Sequence, residues 1–413
     1  MEKVSIQNFA GIKSMDVEFK SINILIGPQG SGKSVTVKLH YFFRSFFHEL
    51  ERNIIAGKSK RELDRRHKEK FITFFPKETW PNGNFKVSYS VNGFNISLEH
   101  LNNQIKFDYS ENLKKAISRI RKVYADEIEK LAEEGARPLL RGLSLLMQIR
   151  ELIRAELGDF SIHTQFFIPA GRSFYANIQK SIFSLLSDNT PLDPFLIEFG
   201  VEYENLKRSY DDIPLYKAAQ KEFDNIILEV LKGDYISEKD IDYLLHKDKR
   251  KVDLSKASSG QQEILPLIVV LKALHNEQLS VEGVTIYIEE PEAHLFPNAQ
   301  KAIVQLLARV FNNNSRKFQI IVTTHSPYIL SSFNNLLEAG RLTELKPEKN
   351  KAIAKIVPKA EQLKPGLLTA YSVNNGKKEN LVDQETNLIT QTVLDSISND
   401  IAIEFGKLLD IEF

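Results

Sequence analysis

The stretch GPQGSGKS, residues 27–34, directly follows the apolar run INILI, residues 22–26. Its spacing fits the phosphate-loop pattern, in which a glycine, any four residues, a second glycine, a lysine and a hydroxyl residue follow one another. Glycines permit a tight turn that points backbone N–H groups at phosphate oxygens, and the N-terminus of a following helix favours an anion. The sequence therefore predicts a strand at 23–26, this loop, and a helix over 35–43.

The residues of this loop have different predicted roles. Lys33 is expected to reach the β- and γ-phosphates of a nucleotide, and the Ser34 hydroxyl is expected to ligate Mg²⁺. The alternative is a glycine-rich surface turn with an incidental lysine, which the flanking strand and helix patterns disfavour. The predicted nucleotide-binding residues of the loop are Gly27, Pro28, Gln29, Gly30, Ser31, Gly32, Lys33, Ser34 and Val35.

Composition limits the classes of protein that the chain can belong to. It has 413 residues, of which 42% are hydrophobic, and this length allows two or three structural units with a real core. The absence of cysteine excludes disulfides, thiolate zinc sites and cysteine nucleophiles. No long apolar stretch or signal-peptide pattern occurs, so we expect a cytoplasmic protein without membrane partners. Nucleic-acid binding stays a possibility. Because the net charge of the chain is only +1, such binding would depend on local basic patches.

The segment VTIYIEEPE, residues 284–292, has the pattern of a buried strand that ends in two carboxylates. We predict that Glu289 holds Mg²⁺ and that Glu290 is the general base that accepts a proton from the attacking water. A second buried strand, 319–324, ends at His325, which could donate to the γ-phosphate. A histidine at the end of a strand is more often a structural hydrogen-bond partner, so both interpretations stay open. The candidate catalytic residues are therefore Lys33, Glu290 and His325.

The segment KASSGQQE, residues 256–263, precedes the apolar run ILPLIVVLKAL. This pattern predicts a turn of small residues that opens a helix, where hydroxyl and N–H groups can bind a second phosphate. By itself it is also typical of an ordinary helix N-cap. The candidate nucleotide-binding residues of the turn are Ser258, Ser259, Gly260 and Gln261.

The order of these motifs resembles the ABC-type ATPase head of SMC, RecF and OLD proteins. In this resemblance SSGQQE corresponds to the signature motif, EEPE to the Walker B motif and THSP to the switch histidine. EEPEAHLFPNAQ, residues 289–300, resembles the EEPEAHLHP stretch of OLD-like ATPases, and IPAGR, residues 168–172, resembles their IPAER segment. Three departures are small, since Ala257, Ser259 and Glu289 replace the commoner leucine, glycine and aspartate without removing a required group.

The resemblance implies an α/β fold, namely an ABC-type P-loop ATPase head with a mixed sheet, that uses ATP and Mg²⁺. It implies a homodimer or higher homo-oligomer in which hydrolysis is slow and dependent on assembly. Ser258 of one copy is then expected to complete the triphosphate pocket of the other copy. Ala293 and His294 are expected to lie near the opposite active site.

Such a head uses roughly 200 residues, so about half of the chain is additional. The basic run 58–70 has the pattern of a solvated helix, with phosphate contact as the alternative. Asn92-Gly93 predicts a β-hairpin, and two helices over 111–157 predict a short arm. We predict that the ATPase head comprises residues 1–48, 158–180 and 251–413. The inserted basic helix, hairpin and arm then occupy residues 49–157, and a helical lobe occupies residues 181–250.

The C-terminal part lacks the DxD pair that a Toprim nuclease needs for its catalytic metals, and a final helix is predicted over 386–409. Asp240 and Asp242 lie in the block 175–250, which we interpret as helical, so they are expected to be surface charges. The resemblance implies a sensor or scaffold subunit of an anti-phage system such as Septu or PARIS, controlling a separate HNH or Toprim nuclease effector. The alternatives are a RecF-like DNA-binding ATPase of recombination or repair, and a nucleotide-gated scaffold with little turnover.

Overall fold

A computed structural model describes residues 2–80, 83–133, 138–177, 192–208, 219–238, 241–275, 283–313, 317–390 and 403–404. The strands are β1 (Glu2–Phe9), β2 (Ile12–Phe19), β3 (Ile22–Ile26), β4 (Phe85–Val91), β5 (Phe94–Leu101), β6 (Gln104–Tyr109), β7 (Thr164–Ile168), β8 (Asp234–Glu238), β9 (Ile241–Leu245), β10 (Lys251–Asp253), β11 (Gly283–Glu289), β12 (Lys317–Thr324), β13 (Leu368–Asn374) and β14 (Lys377–Asn380). The α-helices are α1 (Lys33–Ile55), α2 (Lys60–Phe74), α3 (Glu111–Glu133), α4 (Pro138–Leu157), α5 (Pro194–Arg208), α6 (Ala219–Leu231), α7 (Ser259–His275), α8 (Pro297–Phe311), α9 (Pro327–Leu345) and α10 (Asn350–Ile356).

The central sheet has six strands in the order β14-β13-β3-β12-β11-β7. All neighbouring pairs are parallel except β13 with β14. Both faces of a parallel sheet are normally covered, which explains the continuous apolar runs in the sequence. The predicted α/β fold with a mixed sheet is confirmed.

Helices and a second sheet cover the two faces of this central sheet. Successive strand residues point to opposite faces, so Ile24 and Ile26 join one core while Leu25 joins the other. The first core contains the apolar faces of α5 to α9, and the second contains α1 to α4 and an antiparallel five-stranded sheet in the order β2-β1-β4-β5-β6. The central sheet thus lies between two apolar layers.

The predicted hairpin is confirmed, because β4 and β5 join at Asn92 and Gly93, both of which have positive φ angles. Strand β4 also pairs with β1, so the hairpin belongs to the sheet that begins the chain. Helices α3 and α4 form the predicted pair, joined by Arg119, whose Nη2 donates to Glu156 at 2.6 Å. The boundaries of the predicted segments stay a prediction.

Two sequence interpretations were wrong. The block 175–250 contains β8 and β9 as well as helices, and Asp242 of β9 is buried rather than a surface charge. Its carboxylate accepts hydrogen bonds from Lys207 Nζ at 3.0 Å and from the Tyr235 hydroxyl at 2.9 Å. Strands of five residues have too little periodicity to be told from helix. Asp240 lies outside the described residues.

The predicted C-terminal helix does not begin at residue 386. Residues 384–386 form a turn, in which the Asp383 carboxylate accepts the N–H of Thr386 at 2.8 Å, and Val382 and Ile389 form an isolated bridge. Residues 391–402 and 405–413 lie outside the described part, so the rest of that helix stays a prediction.

The basic run forms α2, which Ser59 caps by accepting the N–H of Glu62. Its charges are paired along the helix surface, as in the contact of Arg65 with Glu69 at 2.7 Å, so the pattern of a solvated helix accounts for them. In the described ranges, no helix combines the length and the apolar character that crossing a bilayer requires.

Candidate functional site

The loop between β3 and α1 lies at the carboxyl end of the central sheet. A Cβ atom at Gly27 would lie 2.0 Å from the carbonyl oxygen of Val373 on the neighbouring strand, so no other residue fits there. Gly32 has a φ of +104°, a conformation that glycine adopts without strain. Two of the predicted glycines are therefore required by the backbone path. Pro28, Gln29 and Gly30 are exposed on the loop.

Lys33 opens α1 and turns back over the loop. Its Nζ donates to the carbonyl oxygens of Gly27 and Pro28, each at 2.8 Å. Burial lowers the pKa of Lys33, and the carboxylates of the Walker B segment oppose that shift. Ser34 is exposed in the first helical turn, where backbone N–H groups have no partner within the helix. The loop thus presents donors and a positive charge to an anion.

The carboxyl ends of β3, β12 and β11 are aligned by their register. Ile26 is paired with Thr324, and Thr323 is paired with Glu289. The phosphate loop, His325 and the two predicted acidic residues therefore follow three adjacent strands at one edge of the sheet. A crevice at this edge is where ligands bind in open α/β sheets.

Glu289 is buried, and its Oε1 has no hydrogen-bond partner. Thr323 Oγ1, on the paired residue of β12, is also buried without a partner. Leaving such atoms unpaired costs about 1–3 kcal/mol each unless a ligand binds them. Mg²⁺ prefers oxygen ligands, and a carboxylate oxygen without a hydrogen-bond partner is free to bind it. The residues that would hold the ion are Ser34 and Glu289. In the described ranges no three His, Asp or Glu residues form a metal site. Mg²⁺ is usually bound by one or two protein oxygens together with water and substrate phosphates, so a site of this kind would still suit it.

Glu290 has a φ of +44°, a strained conformation for a residue with a side chain. Its backbone N–H donates to Thr323 O at 2.9 Å. Its Oε1 lies 3.2 Å from His325 Nε2, and the backbone N–H of His325 donates to Glu292 Oε1 at 2.6 Å. The predicted general base and the predicted switch histidine are therefore in direct contact.

A comparison with family models matches residues 57–330 to the family described as AAA ATPase domain. The chain belongs to this AAA ATPase domain family. The match begins after Ser34, so the assignment of the phosphate loop rests on its pattern and geometry. A comparison with curated proteins found no match.

Solved structures similar to this AAA ATPase domain protein include SMC head domains and RecF. The SMC head domain from Thermotoga maritima is 13% identical, with a TM-score of 0.37, and 92% of this chain and 97% of that chain are covered. The Smc head bound to the C-winged helix domain of ScpA is 13% identical, with a TM-score of 0.42 and coverage of 93% and 97%. The recombination mediator protein RecF is 14% identical, with a TM-score of 0.32 and coverage of 92% and 97%.

In this AAA ATPase domain the turn before α7 is closed by its own side chains. Ser258 Oγ donates to Gln261 Oε1 at 2.9 Å, and the N–H of Gln261 lies 3.3 Å from Ser258 Oγ. Gln261 Nε2 donates to Leu231 O at 2.7 Å. The hydroxyl-bearing residues Ser258 and Ser259 are exposed. Ser258 and Gln261 therefore cap the start of α7 reciprocally, since each side chain accepts the backbone N–H of the other residue, and the contact of this turn with a nucleotide stays a prediction.

The turn packs beside the segment that follows the Walker B residues. A Cβ atom at Gly260 would lie 2.7 Å from His294 O, so the two loops are in close contact within one chain. In the described residues, the side-chain hydrogen bonds of Ser258 and Gln261 run to each other and to Leu231, and none of them reaches the phosphate loop. The structure thus brings Lys33, Glu289, Glu290 and His325 together at one edge and places the signature turn against the 294 loop.

Sequence reasoning missed two buried residues of this region. Arg172 of the IPAGR segment and Glu263 of α7 are completely or almost completely buried; Arg172 bonds to the carbonyl groups of Glu289 and Glu290, and Glu263 bonds to Arg172. The IPAGR segment resembles a family motif, but nothing in its sequence indicates that the arginine is buried. Phe9 of β1 is buried against the rings of Phe71 and Phe85 and belongs to the core, so it is not available to stack on a base.

Proposed function

We propose that the protein binds Mg²⁺ and ATP at the carboxyl edge of the central sheet and hydrolyses the nucleotide. The observation that carries this proposal is the meeting of Lys33, the unpaired Glu289 and the Glu290–His325 contact at the ends of three adjacent strands. Membership of the AAA ATPase domain family supports it. Adenine specificity follows family precedent.

The chain's own groups would divide the reaction as follows. When the nucleotide binds, Lys33 Nζ gives up its hydrogen bonds to the loop carbonyl groups and donates to phosphate oxygens instead. Its positive charge then reduces the repulsion between the triphosphate and the carboxylates at this edge of the sheet. Glu290 orients the attacking water and takes its proton, while His325 holds that carboxylate and donates to the γ-phosphate. Ser34 and Glu289 would hold Mg²⁺, which would supply neutralisation of the negative charge on the phosphates.

We further propose that two copies face each other, with Ser258 of one copy completing the pocket of its partner. Ser258 and Ser259 are exposed, and the bonds of the turn do not reach the phosphate loop of their own chain. Catalysis that needs two copies is expected to be slow at low protein concentration. Assemblies larger than a dimer are compatible with this arrangement.

A mixing experiment tests the trans arrangement. Lys33→Ala removes nucleotide binding from one copy, and Ser258→Arg blocks the turn of the other copy, so each variant alone is expected to be inactive. A mixed dimer contains one pocket with both an intact Lys33 and an intact Ser258, and turnover is expected to return. Mixing Lys33→Ala with the double variant Lys33→Ala/Ser258→Arg is the control that cannot be rescued. A turn that acts within its own chain predicts no rescue in either mixture.

For the biological role we propose a cytoplasmic sensor or scaffold subunit of an anti-phage system that controls a separately encoded nuclease. The supporting observation is the likeness of EEPEAHLFPNAQ and IPAGR to OLD-like ATPases. Phage challenge of cells that carry the gene with its neighbouring open reading frames tests this role. Protection is expected with the wild type and lost with Lys33→Ala. If no protection appears and the purified protein binds duplex DNA with a steep salt dependence, the RecF-like role is correct instead.

A further inference from the structure

Arg172 follows β7 and lies completely buried beneath the Walker B turn. Its Nε donates to Glu263 O at 2.9 Å, and its Nη1 donates to Pro169 O at 2.9 Å. Two more donations reach the catalytic segment, from Nη1 to Glu289 O at 2.7 Å and from Nη2 to Glu290 O at 3.0 Å. A buried guanidinium is tolerated when its donors are used in this way.

Glu263 completes the arrangement from α7. Its carboxylate accepts the backbone N–H groups of Arg172 at 2.9 Å and of Ser173 at 2.8 Å, and its Oε1 lies 3.3 Å from Arg172 Nη2. Because α7 begins at Ser259, Glu263 lies about one helical turn beyond the signature residues. One continuous set of bonds therefore connects the start of α7 with the carbonyl groups of both Walker B glutamates.

The two carbonyl groups that Arg172 holds belong to the peptide groups on either side of the Glu290 Cα atom. Glu290 has a positive φ, and such a conformation persists only where the surroundings determine it. Its carbonyl also accepts the N–H of Ala293 at 3.1 Å. Fixing both peptide groups fixes the direction in which the Glu290 side chain leaves the backbone, and hence its contact with His325.

We propose that Arg172 and Glu263 are positioning residues for hydrolysis: the guanidinium fixes the backbone on both sides of Glu290, and the carboxylate ties that backbone to the helix that carries the signature turn. This inference rests on the proposed ATPase function. If α7 moves when its signature turn binds the nucleotide of a second copy, Glu263 and Arg172 transmit that movement to the backbone of Glu290. Neither residue touches the reacting atoms.

The decisive variant is Arg172→Lys, which keeps a positive charge but cannot donate to both carbonyl groups from one rigid fork. Glu263→Gln is the second variant, since it keeps the size of the side chain and removes one acceptor oxygen. The matched control is Arg309→Lys. Arg309 of α8 is also buried and bound to two carboxylates, those of Glu361 and Glu222, about 18 Å along the helix from Pro297.

Three quantities are measured for each protein: kcat for ATP, affinity for ATP, and hydrogen exchange in the segment 288–295 without nucleotide. Arg172→Lys is expected to lower kcat at least about tenfold, the equivalent of one charge-assisted hydrogen bond, with ATP affinity within about twofold of the wild type. Exchange in 288–295 is expected to rise. Glu263→Gln changes kcat and exchange in the same direction, and Arg309→Lys lowers the melting temperature without changing either.

The proposal is overturned if Arg172→Lys leaves exchange in 288–295 unchanged, or if its loss of kcat is no larger than that of Arg309→Lys. A wild type that binds ATP without hydrolysing it would contradict the proposed function. The exchange measurement still decides whether Arg172 and Glu263 fix the Walker B turn, because it needs no turnover.

Discussion

Two groups of buried polar side chains lie on and beside β12 of the central sheet and differ in how completely they are paired. At the carboxyl edge, Glu289 Oε1 and Thr323 Oγ1 have no partner. Further back, Glu2 accepts hydrogen bonds from His40 Nε2 at 2.8 Å, and from Gln319 Nε2 at 2.6 Å. Gln319 and Thr323 belong to the same strand, β12, so four residues separate a paired region from an unpaired one.

The difference separates polar groups that hold the fold from the edge groups that we propose bind a ligand. The Glu2 cluster, which also includes the Tyr89 hydroxyl and the Arg44 guanidinium, ties the second sheet to α1 and to β12. Although burial alone would raise it, His40 and Arg44 hold the pKa of Glu2 below its ordinary value. Removing a member of that cluster should therefore affect stability, whereas removing an edge residue should affect chemistry.

The largest expected effect is on turnover. Glu290→Gln keeps the size of the side chain but cannot take a proton from water, so kcat is expected to fall by about 10³, within the range for loss of a general base. ATP binding is expected to persist, and ATP-bound assemblies should accumulate. The measurement is steady-state ATPase activity, with exposed Glu344→Gln of α9 as the control. Unaltered turnover in Glu290→Gln would remove this residue from the mechanism.

The next effect is on the fold and tests the paired cluster. Glu2→Gln removes the charge that compensates buried Arg44, and breaking a buried pair of this kind costs about 3 kcal/mol. Chemical denaturation measures the free energy of unfolding, with the exposed Glu18→Gln of the same sheet as the control. Turnover per folded molecule is expected to stay unchanged. A large loss of kcat at full folding would mean that the two regions are not separable.

A smaller effect concerns pH. Burial, with a contribution from Arg44, lowers the pKa of His163 to about 4, and its Nδ1 lies 3.3 Å from Thr285 Oγ1. Because the unfolded chain then binds more protons, this contribution to stability is present above pH about 6.5 and is lost as pH falls towards 4. Acidification from pH 7 to 4 is expected to cost wild type about 2–3 kcal/mol more than His163→Gln. If the free energy of unfolding falls by the same amount in the two proteins between pH 7 and pH 4, the low pKa of His163 is contradicted.

The sequence predicts the residues at the sheet edge because their motifs lie at strand ends. Parallel strands bring their carboxyl ends to one edge, so the spacing of the phosphate loop, the EEPE segment and His325 is enough to place them together. The hairpin at Asn92-Gly93 is equally local, since two residues set the turn.

Contacts between distant segments could not be predicted in the same way. The burial of Arg172 depends on Glu263, which lies 91 residues away in the chain, and nothing in IPAGR encodes that partner. Asp242 looked like a surface charge because its partners Lys207 and Tyr235 come from other elements. The need for glycine at position 27 follows a motif, but its physical reason is the approach of Val373 from β13.

The smallest effect tests the unpaired edge itself. Glu289→Gln is expected to weaken Mg²⁺-dependent ATP binding about tenfold, towards the affinity seen without the metal, because a ligating carboxylate becomes a neutral amide. The melting temperature of the nucleotide-free protein is expected not to fall, since Glu289 Oε1 makes no hydrogen bond that the substitution would break. Calorimetry of ATP binding with and without Mg²⁺ measures the first expectation, and thermal unfolding measures the second.

Glu292→Gln is the matched comparison for Glu289→Gln. Glu292 Oε2 is also buried without a partner, but Oε1 accepts the N–H of His325, so this residue already has a structural role. We expect Glu292→Gln to change the position of His325, and hence kcat, with little effect on Mg²⁺-dependent affinity. If the two variants weaken Mg²⁺-dependent binding equally, the metal is held by the general negative charge of this edge rather than by Glu289. The missing hydrogen bond of Glu289 Oε1 would then no longer indicate the metal site.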